Sequence, residues 1–477
     1  MSPSSLIHIS LKEEILLIKN NPTYSGIIKL LNFFALMLLA FWIPLDKSYL
    51  PYTIALWVTT WLFEGNFINK TKVNIKNKQQ VYLLMLPVLF YLMHVISYVL
   101  SVNKHAAGFD LEVKLSFLVF PLVILSSNYL YKAHGRLVLI AFIIGNVISL
   151  LIGLGYAFSN SLELINGSYV FNHSVWSEFD GQAFYKLVGN RYSYFSYARV
   201  SAFHHPSYIS MYINFGIIIS YYLLKASKVL KSKIIYSGLI LFFYVMIYLL
   251  SSKAGLLSLM FVLLTLMLIE LKRNKNYILV LLVSFTLMFG LYKAITVTAI
   301  ETSVAEFNKE IKERESFLEQ ESVLQTNSSD SIAIGEIQAN DKLKNKNDRI
   351  IIWECALGLI KDNLILGVNT GEMKSSLVKE YMKIGYAKGV NLRYNVHNQY
   401  LESLLAGGIF MLLVLLVFLA YYFFYALSQK SILMGFFITL VTINLLFESM
   451  FDTIAGVVFI VFFYTFLLIF HKKETEY

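Results

Sequence analysis

The feature that most constrains this chain is a succession of long apolar segments, most of them separated by short polar ones. We count twelve, of about 16 to 25 residues each, the length a helix needs to cross a hydrocarbon core about 30 Å thick, although the second is short for that. Only 15% of the 477 residues are charged, whereas about a quarter are charged in soluble domains. The sequence therefore predicts an all-α polytopic integral membrane protein with about 12 transmembrane helices. The predicted spans are 27–44, 50–64, 81–101, 113–130, 136–158, 205–224, 233–250, 254–271, 277–299, 401–426, 431–447 and 452–470.

The distribution of lysine and arginine predicts the orientation, because these residues are retained on the cytoplasmic side of a membrane. With a cytoplasmic N-terminus, sixteen of them flank the inner ends of the spans and only four lie at the short outer loops. This asymmetry supports an even number of spans, with both termini in the cytoplasm. We therefore attribute the formal net charge of +10 mainly to membrane topology and expect no nucleic-acid partner.

The same pattern divides the chain into five parts. The apolar stretch that follows the first 26 residues lacks a small-residue cleavage pattern, so we expect a retained span and not a removed signal peptide. The parts are a cytoplasmic segment at 1–26, transmembrane helices 1–9 at 27–299 with an outer loop at 159–204, a large, partly helical outer loop at 300–400, transmembrane helices 10–12 at 401–470, and a cytoplasmic tail at 471–477.

Several kinds of chemistry lack their signatures. The single cysteine, Cys355, excludes an internal disulfide and a CxxC site. The sequence contains no GxxxxGK[ST] and no HExxH motif, so we expect no metal and no nucleotide cofactor. A reaction on the outer face would need a donor that is already activated in the membrane.

Polar residues suited to chemistry collect on the predicted outer face. The large loop carries Arg349, Arg393 and His397, and the turn LLSSKAGLL carries Lys253. Arginine binds phosphate oxygens bidentately and lysine acts as a point charge, while a histidine accepts a hydroxyl proton near neutral pH. The alternatives are interfacial anchoring for the cations and structural hydrogen bonding for the histidine.

Another such stretch, RVSAFHHP, enters the sixth span with Arg199 and His205 just before Pro206. Proline there suits the first turn of a helix. Arg199 has the same two interpretations as Lys253, phosphate binding or interfacial anchoring.

The order and spacing of these motifs resemble the O-antigen ligase and O-antigen polymerase superfamily of bacterial envelope glycan enzymes. The resemblance covers residues 190–425 in detail and the whole chain in topology. The motifs that carry it are RVSAFHHP at 199–206, SSKAG at 251–255, DRIIIW at 348–353, KDNLILGVNTG at 361–371, HNQYL at 397–401 and the glycine pair at 407–408.

This resemblance implies a GT-C-like, metal-independent and inverting glycosyltransferase of the inner membrane, without a cofactor, whose large loop and active site face the periplasm. Its donor would be a polysaccharide on undecaprenyl diphosphate. The acceptor would be a sugar of the lipid A core in a ligase, which we favour, or another lipid-linked repeat unit in a polymerase.

Carried over residue by residue, the resemblance implies that His397 is the catalytic base and that Arg349 binds the donor diphosphate. Lys253 stands where the family usually has arginine, so charge is kept and bidentate geometry is lost. The resemblance also implies Arg199 as a further, second-rank candidate to bind the same phosphates. The possible supporting residues are Arg393, His205, Asn398 and Glu402.

Two departures from the family pattern bear on the subfamily. Asn363 and Leu364 stand where the family commonly has histidine and proline. Ala406 replaces an acidic residue that often precedes the glycine pair, and Glu402 lies one helical turn earlier. The proposed pair of His397 and Arg349 is unaffected.

A multi-span lipid or glycan transporter is the competing class. The predicted spans contain few charged residues away from their ends, whereas ion-coupled carriers usually place such residues at mid-depth. We also find no clear pair of broken helices in equivalent halves. The sequence therefore favours glycan transfer.

Overall fold

The fold is taken from a computed structural model. It describes residues 13, 15–16, 23–74, 78–127, 130–175, 183–189, 191–273 and 346–470. The predicted ninth span at 277–299 and residues 300–345 of the large loop lie outside these ranges.

The described residues are predominantly helical. We number the α-helices in chain order: α1 Tyr24–Trp42, α2 Leu50–Glu64, α3 Phe67–Asn74, α4 Lys78–Leu100, α5 Lys104–Lys114, α6 Ser116–Leu125, α7 Leu130–Ala133, α8 Gly135–Asn160, α9 Phe184–Gly189, α10 Pro206–Ala226, α11 Leu230–Leu250, α12 Lys253–Arg273, α13 Asp348–Asp362, α14 Met373–Lys383, α15 Ala387–Leu392, α16 Gln399–Ser428, α17 Ile432–Phe447 and α18 Ile454–Phe470.

Six of these helices are long and apolar enough to cross a membrane, namely α1, α4, α8, α10, α11 and α16. The prediction of an α-helical membrane protein is thereby confirmed. The predicted spans at 50–64, 431–447 and 452–470 correspond to helices α2, α17 and α18, which have 15, 16 and 17 residues. The predicted span at 113–130 is divided, since α5 ends at Lys114 and α6 has 10 residues. The total of twelve spans stays a prediction.

Helix α10 forms the centre of the described bundle. It packs against α8, α11, α12 and α17, and 83% of its most apolar stretch is buried. His205 caps its N-terminus through the side chain, and Pro206 occupies its first turn, as the sequence predicts. Aromatic rings pack together between α8, α10 and α18, among them Phe142, Phe215 and Phe463.

Helix α16 is broken where the glycine pair occurs. Gly407 and Gly408 have non-helical backbone angles, with φ of 66° at Gly408. The loop after α13 fits into this break: the amide of Ile409 donates to the carbonyl of Leu364 (2.9 Å), and the amide of Val368 donates to the carbonyl of Leu405 (2.7 Å). This pairing fixes the loop region 346–398 against the membrane bundle.

A short antiparallel hairpin follows α8. Its strands are β1, Leu162–Ile165, and β2, Ser168–Phe171. Asn166 and Gly167 form its turn with positive φ, the backbone geometry that favours asparagine followed by glycine in two-residue hairpins.

Candidate active site

His397 lies in the short connection between α15 and α16. Its backbone has a φ of 48°, an uncommon conformation for a residue other than glycine. Two contacts hold this connection: the indole of Trp353 donates to the carbonyl of Val396 (3.0 Å), and the amide of His397 donates to Oδ1 of Asn395 (3.2 Å). The backbone strain at His397 is therefore compensated by contacts on both sides.

The His397 imidazole is paired with Glu448, which follows α17. Nδ1 of His397 lies 2.8 Å from Oε1 of Glu448. Because an ionised carboxylate only accepts hydrogen bonds, we assign the proton to Nδ1 and the free lone pair to Nε2. Within the described part of the chain, Nε2 has no hydrogen-bond partner, and 29% of the side chain is accessible. A substrate hydroxyl can therefore reach this nitrogen.

The charge state of Glu448 supports that assignment. Burial raises the pKa of Glu448, but the hydrogen bond and charge of His397, with the charges of His205 and Arg349, lower it more. The net pKa lies below the ordinary value, so the side chain is a carboxylate at neutral pH. A buried carboxylate behind an imidazole orients the ring and stabilises the imidazolium that forms when the ring accepts a proton.

The charges of Arg191 and Arg349 both act on Lys253 and on His205, so these three cations lie in one region. We call them the cation cluster. Arg191 precedes the 3₁₀ turn Tyr197–Arg199, Lys253 begins α12, and Arg349 lies in the first turn of α13. Arg349 also acts on Glu448, so the cluster lies beside the His397–Glu448 pair.

The members of the cation cluster differ in how they are held. The Arg191 guanidinium stacks on the Tyr197 ring at 3.8 Å and donates to the carbonyl of Ser251 (3.3 Å). Among the residues whose positions are described, neither the Lys253 ammonium nor the Arg349 guanidinium has a hydrogen-bond partner. Adjacent cations without partners repel each other, so an anion bound between them would be stabilised.

His205 lies within electrostatic range of both the cation cluster and the His397–Glu448 pair. Its Nδ1 accepts from the amide of Ser207, and its Nε2 lies 3.3 Å from the hydroxyl of Tyr197. Desolvation is the largest influence on the pKa of His205 and lowers it. The charge of Glu448 raises this pKa, and the charges of His397, Arg191 and Arg349 lower it further. The net pKa is below its ordinary value, so at neutral pH His205 is an uncharged hydrogen-bonding group.

The other predicted site residues have mainly structural contacts. Arg199 donates from Nη1 to the carbonyl of Arg191 (2.8 Å), and Arg393 ends α15 with a φ of 47°. Asn398 caps α16 by accepting from the amides of Tyr400 and Leu401. Their predicted roles towards substrate remain untested.

A buried polar network lies behind the pair. Asn395, which holds the His397 amide, donates to Oδ2 of Asp452 at 2.6 Å. Asp452 and Glu402 lie within hydrogen-bonding range of each other, and the side chain of Glu402 is only 2% exposed. Lys114, 1% exposed, provides the positive charge among these acids and pairs with Asp110.

Two residues of the site, Arg191 and Glu448, are not among those predicted from the sequence. Arg191 lies eight residues before Arg199 in the same outer loop. The RVSAFHHP motif begins at Arg199 and therefore does not include Arg191. Glu448 and Asp452 are two acids in a short turn between apolar helices, an unusual place for charge, and this signal could have identified them.

The arrangement can do two things chemically. The cation cluster can bind a phosphate-bearing group and neutralise charge that develops on it, and Nε2 of His397 can accept a proton beside that group. No three His, Cys, Asp or Glu residues in the described ranges form a group that could hold a metal ion. Metal independence nevertheless stays a prediction from the sequence.

Comparison with known proteins identifies the middle of the chain. The family model described as O-antigen ligase matches residues 238–416, a region that contains Lys253, Arg349 and His397. No curated protein matches the chain. The resemblance found in the sequence is thereby confirmed, and residues 238–416 of this membrane protein are similar to the O-antigen ligase family.

Proposed function

We propose that this protein is an O-antigen ligase that transfers a polysaccharide from undecaprenyl diphosphate to a sugar of the lipid A core, at the periplasmic face of the inner membrane. The main support is the His397–Glu448 pair beside the cation cluster. Two members of the cluster, Lys253 and Arg349, lie with His397 in the region that matches the family model. Base and cations are the two groups that transfer from a lipid diphosphate requires.

His397 acts as the general base. Nε2 takes the proton of the acceptor hydroxyl as the acceptor oxygen forms a bond to the anomeric carbon, and Glu448 stabilises the resulting imidazolium. The bond from the anomeric carbon to the phosphate oxygen breaks on the opposite side, and its electron pair leaves with undecaprenyl diphosphate. The configuration at the anomeric carbon is therefore inverted, and His397 then returns its proton to water.

The cation cluster acts on the leaving group. Arg191 and Arg349 present planar guanidinium groups that suit phosphate oxygens, and Lys253 adds a point charge. As the glycosidic bond breaks, negative charge on the diphosphate increases, and fixed cations stabilise that state more than the ground state. In this mechanism the three side chains perform the task of a divalent metal ion, and no cofactor takes part.

A deletion strain tests the proposal and separates it from its alternatives. Lipid-linked and surface glycans are analysed in the strain alone, with the wild-type gene, and with His397→Ala. For a ligase we expect full-length chains to accumulate on undecaprenyl diphosphate, none to reach the lipid A core, and only the wild type to restore transfer.

Other outcomes contradict the ligase proposal in distinguishable ways. Accumulation of single repeat units would indicate the polymerase of the same superfamily. Rescue by both the wild type and His397→Ala would indicate that His397 is not the base and would favour transport. Unchanged glycans in every strain would show that the protein takes no part in the proposed glycan transfer.

A further inference from the structure

Three consecutive residues after α13 expose large apolar side chains. Leu364, Ile365 and Leu366 are 51%, 65% and 55% exposed. Scattered exposed apolar residues are ordinary, but three in a row on a turn that leaves its helix call for a partner. The backbone of this segment is fixed, since the carbonyl of Leu364 accepts from the amide of Ile409 (2.9 Å).

The break in α16 indicates the depth of this segment. From Ile409 to Ser428 the helix has about 20 residues and a length of about 30 Å, which is enough to cross the hydrocarbon core. The residues before the break include the buried polar side chains Gln399 and Glu402, which are unsuited to a lipid environment. The break therefore lies near the boundary of the hydrocarbon core.

The exposed side chains continue a surface that faces lipid. Beyond the break, Phe410, Leu413 and Val417 are 54%, 49% and 50% exposed and recur at helical spacing on one side of α16. A Cβ atom on Gly408 would lie 2.0 Å from the carbonyl oxygen of Ile365, so the loop touches the beginning of this crossing segment. The apolar triplet therefore lies beside the lipid-facing surface of α16, at the end of the membrane-crossing segment that adjoins the break.

We propose that Leu364, Ile365 and Leu366 insert into the lipid bilayer at its interface, on the side where His397 lies. Charged and polar residues on both sides, Lys361 and Asp362 before the triplet and Asn369 after it, keep the insertion shallow. The loop region is therefore anchored to the membrane at the C-terminal end of α13, the helix whose first turn carries Arg349. This inference depends on the geometry of α16 and not on the proposed reaction.

Spin-label accessibility tests the insertion without any activity assay. Ile365→Cys is made in a Cys355→Ala background, labelled with a nitroxide and reconstituted in phospholipid vesicles. Collision with oxygen, which concentrates in lipid, is compared with collision with a water-soluble nickel complex. Leu413→Cys is the lipid-facing control, and Ser375→Cys, on the exposed surface of α14, is the aqueous one. If Cys355→Ala fails to fold, native Cys355 is retained, because it is buried.

We expect the Ile365→Cys label to be more accessible to oxygen than to nickel, as at Leu413→Cys, and the opposite at Ser375→Cys. A label at Ile365→Cys that behaves like the one at Ser375→Cys would contradict the insertion. A label that neither reagent reaches would also contradict it, because protein and not lipid would then cover the loop.

Discussion

Nδ1 of His397 lies 2.8 Å from Oε1 of Glu448, although 51 positions separate the two residues. The histidine lies in the loop before α16, and the glutamate lies in the turn after α17. The pairing gives His397 a defined tautomer, with the proton on Nδ1 and the free lone pair on Nε2. It also ties the loop that holds Arg349 to the end of the membrane bundle.

Replacing the carboxylate should impair the base without removing it. We expect Glu448→Gln to lower turnover by about two orders of magnitude, since the amide can hold the opposite tautomer and cannot stabilise the imidazolium. Glu354→Gln, at an exposed glutamate of α13, is the control, and Glu448→Asp should recover part of the activity. If folded Glu448→Gln turns over as fast as Glu354→Gln, Glu448 does not support the base.

The same substitution has a consequence for stability. Because the folded-state pKa of Glu448 lies below its ordinary value of 4.5, the ionised side chain contributes stability above pH 4.5, and this contribution is lost as the pH falls through the lowered pKa. Thermal unfolding of wild type and Glu448→Gln should therefore differ at pH 7 and converge in acid. A difference that grows as the pH falls would show that the sign of the shift is wrong.

The cation cluster should determine affinity for the donor. We expect Arg191→Gln and Arg349→Gln each to lower kcat/KM for the lipid diphosphate roughly tenfold or more, through kcat as well as KM, the effect of losing a charge-assisted hydrogen bond to a group whose charge grows in the transition state. Lys186→Gln in the loop of Arg191 and Lys361→Gln on the helix of Arg349 are matched controls that remove equal charge outside the cluster. If all four variants show the same small change, the cluster contributes only general electrostatic attraction.

Lys114 should contribute strongly to stability. Its removal leaves the half-buried Asp110 and Asp452 and the buried Glu402 without their cation, and Lys114→Met is expected to cost about 3–5 kcal/mol of stability, as for broken buried ion pairs. Detergent-solubilised protein would show a lowered Tm. Adding Asp110→Asn should recover part of the loss. Equal stability of wild type and Lys114→Met would mean that the acids are neutral without the lysine.

The glycine pair was recognised in the sequence as a motif, but its physical role required the structure. At Gly408 a φ of 66° and the carbonyl of Ile365 leave no room for a Cβ atom, so Gly408→Ala should lower the Tm. Gly238→Ala on an open face of α11 should instead be neutral or stabilising, because alanine favours helices. A tolerated Gly408→Ala would mean that the loop can leave the break in α16.

Much of the membrane architecture could be predicted because apolar segments must satisfy their backbone hydrogen bonds as helices. His397, Arg349 and Lys253 could be found because a local motif surrounds each of them. Arg191 and Glu448 have no such motif, and their positions depend on which helix ends meet in space. The paired residues 364–368 and 405–409 likewise depend on contacts between distant segments, which local patterns do not specify.

Transfer by purified protein is the most direct test of His397 as the catalytic base. Wild type and His397→Ala are reconstituted with a glycan on undecaprenyl diphosphate and with lipid A core, and the transferred glycan is measured alongside binding of the donor. We expect His397→Ala to bind the donor as the wild type does but to transfer the glycan about a hundredfold or more slowly, the scale of a lost general base. Transfer at the wild-type rate by folded His397→Ala would show that His397 is not the base.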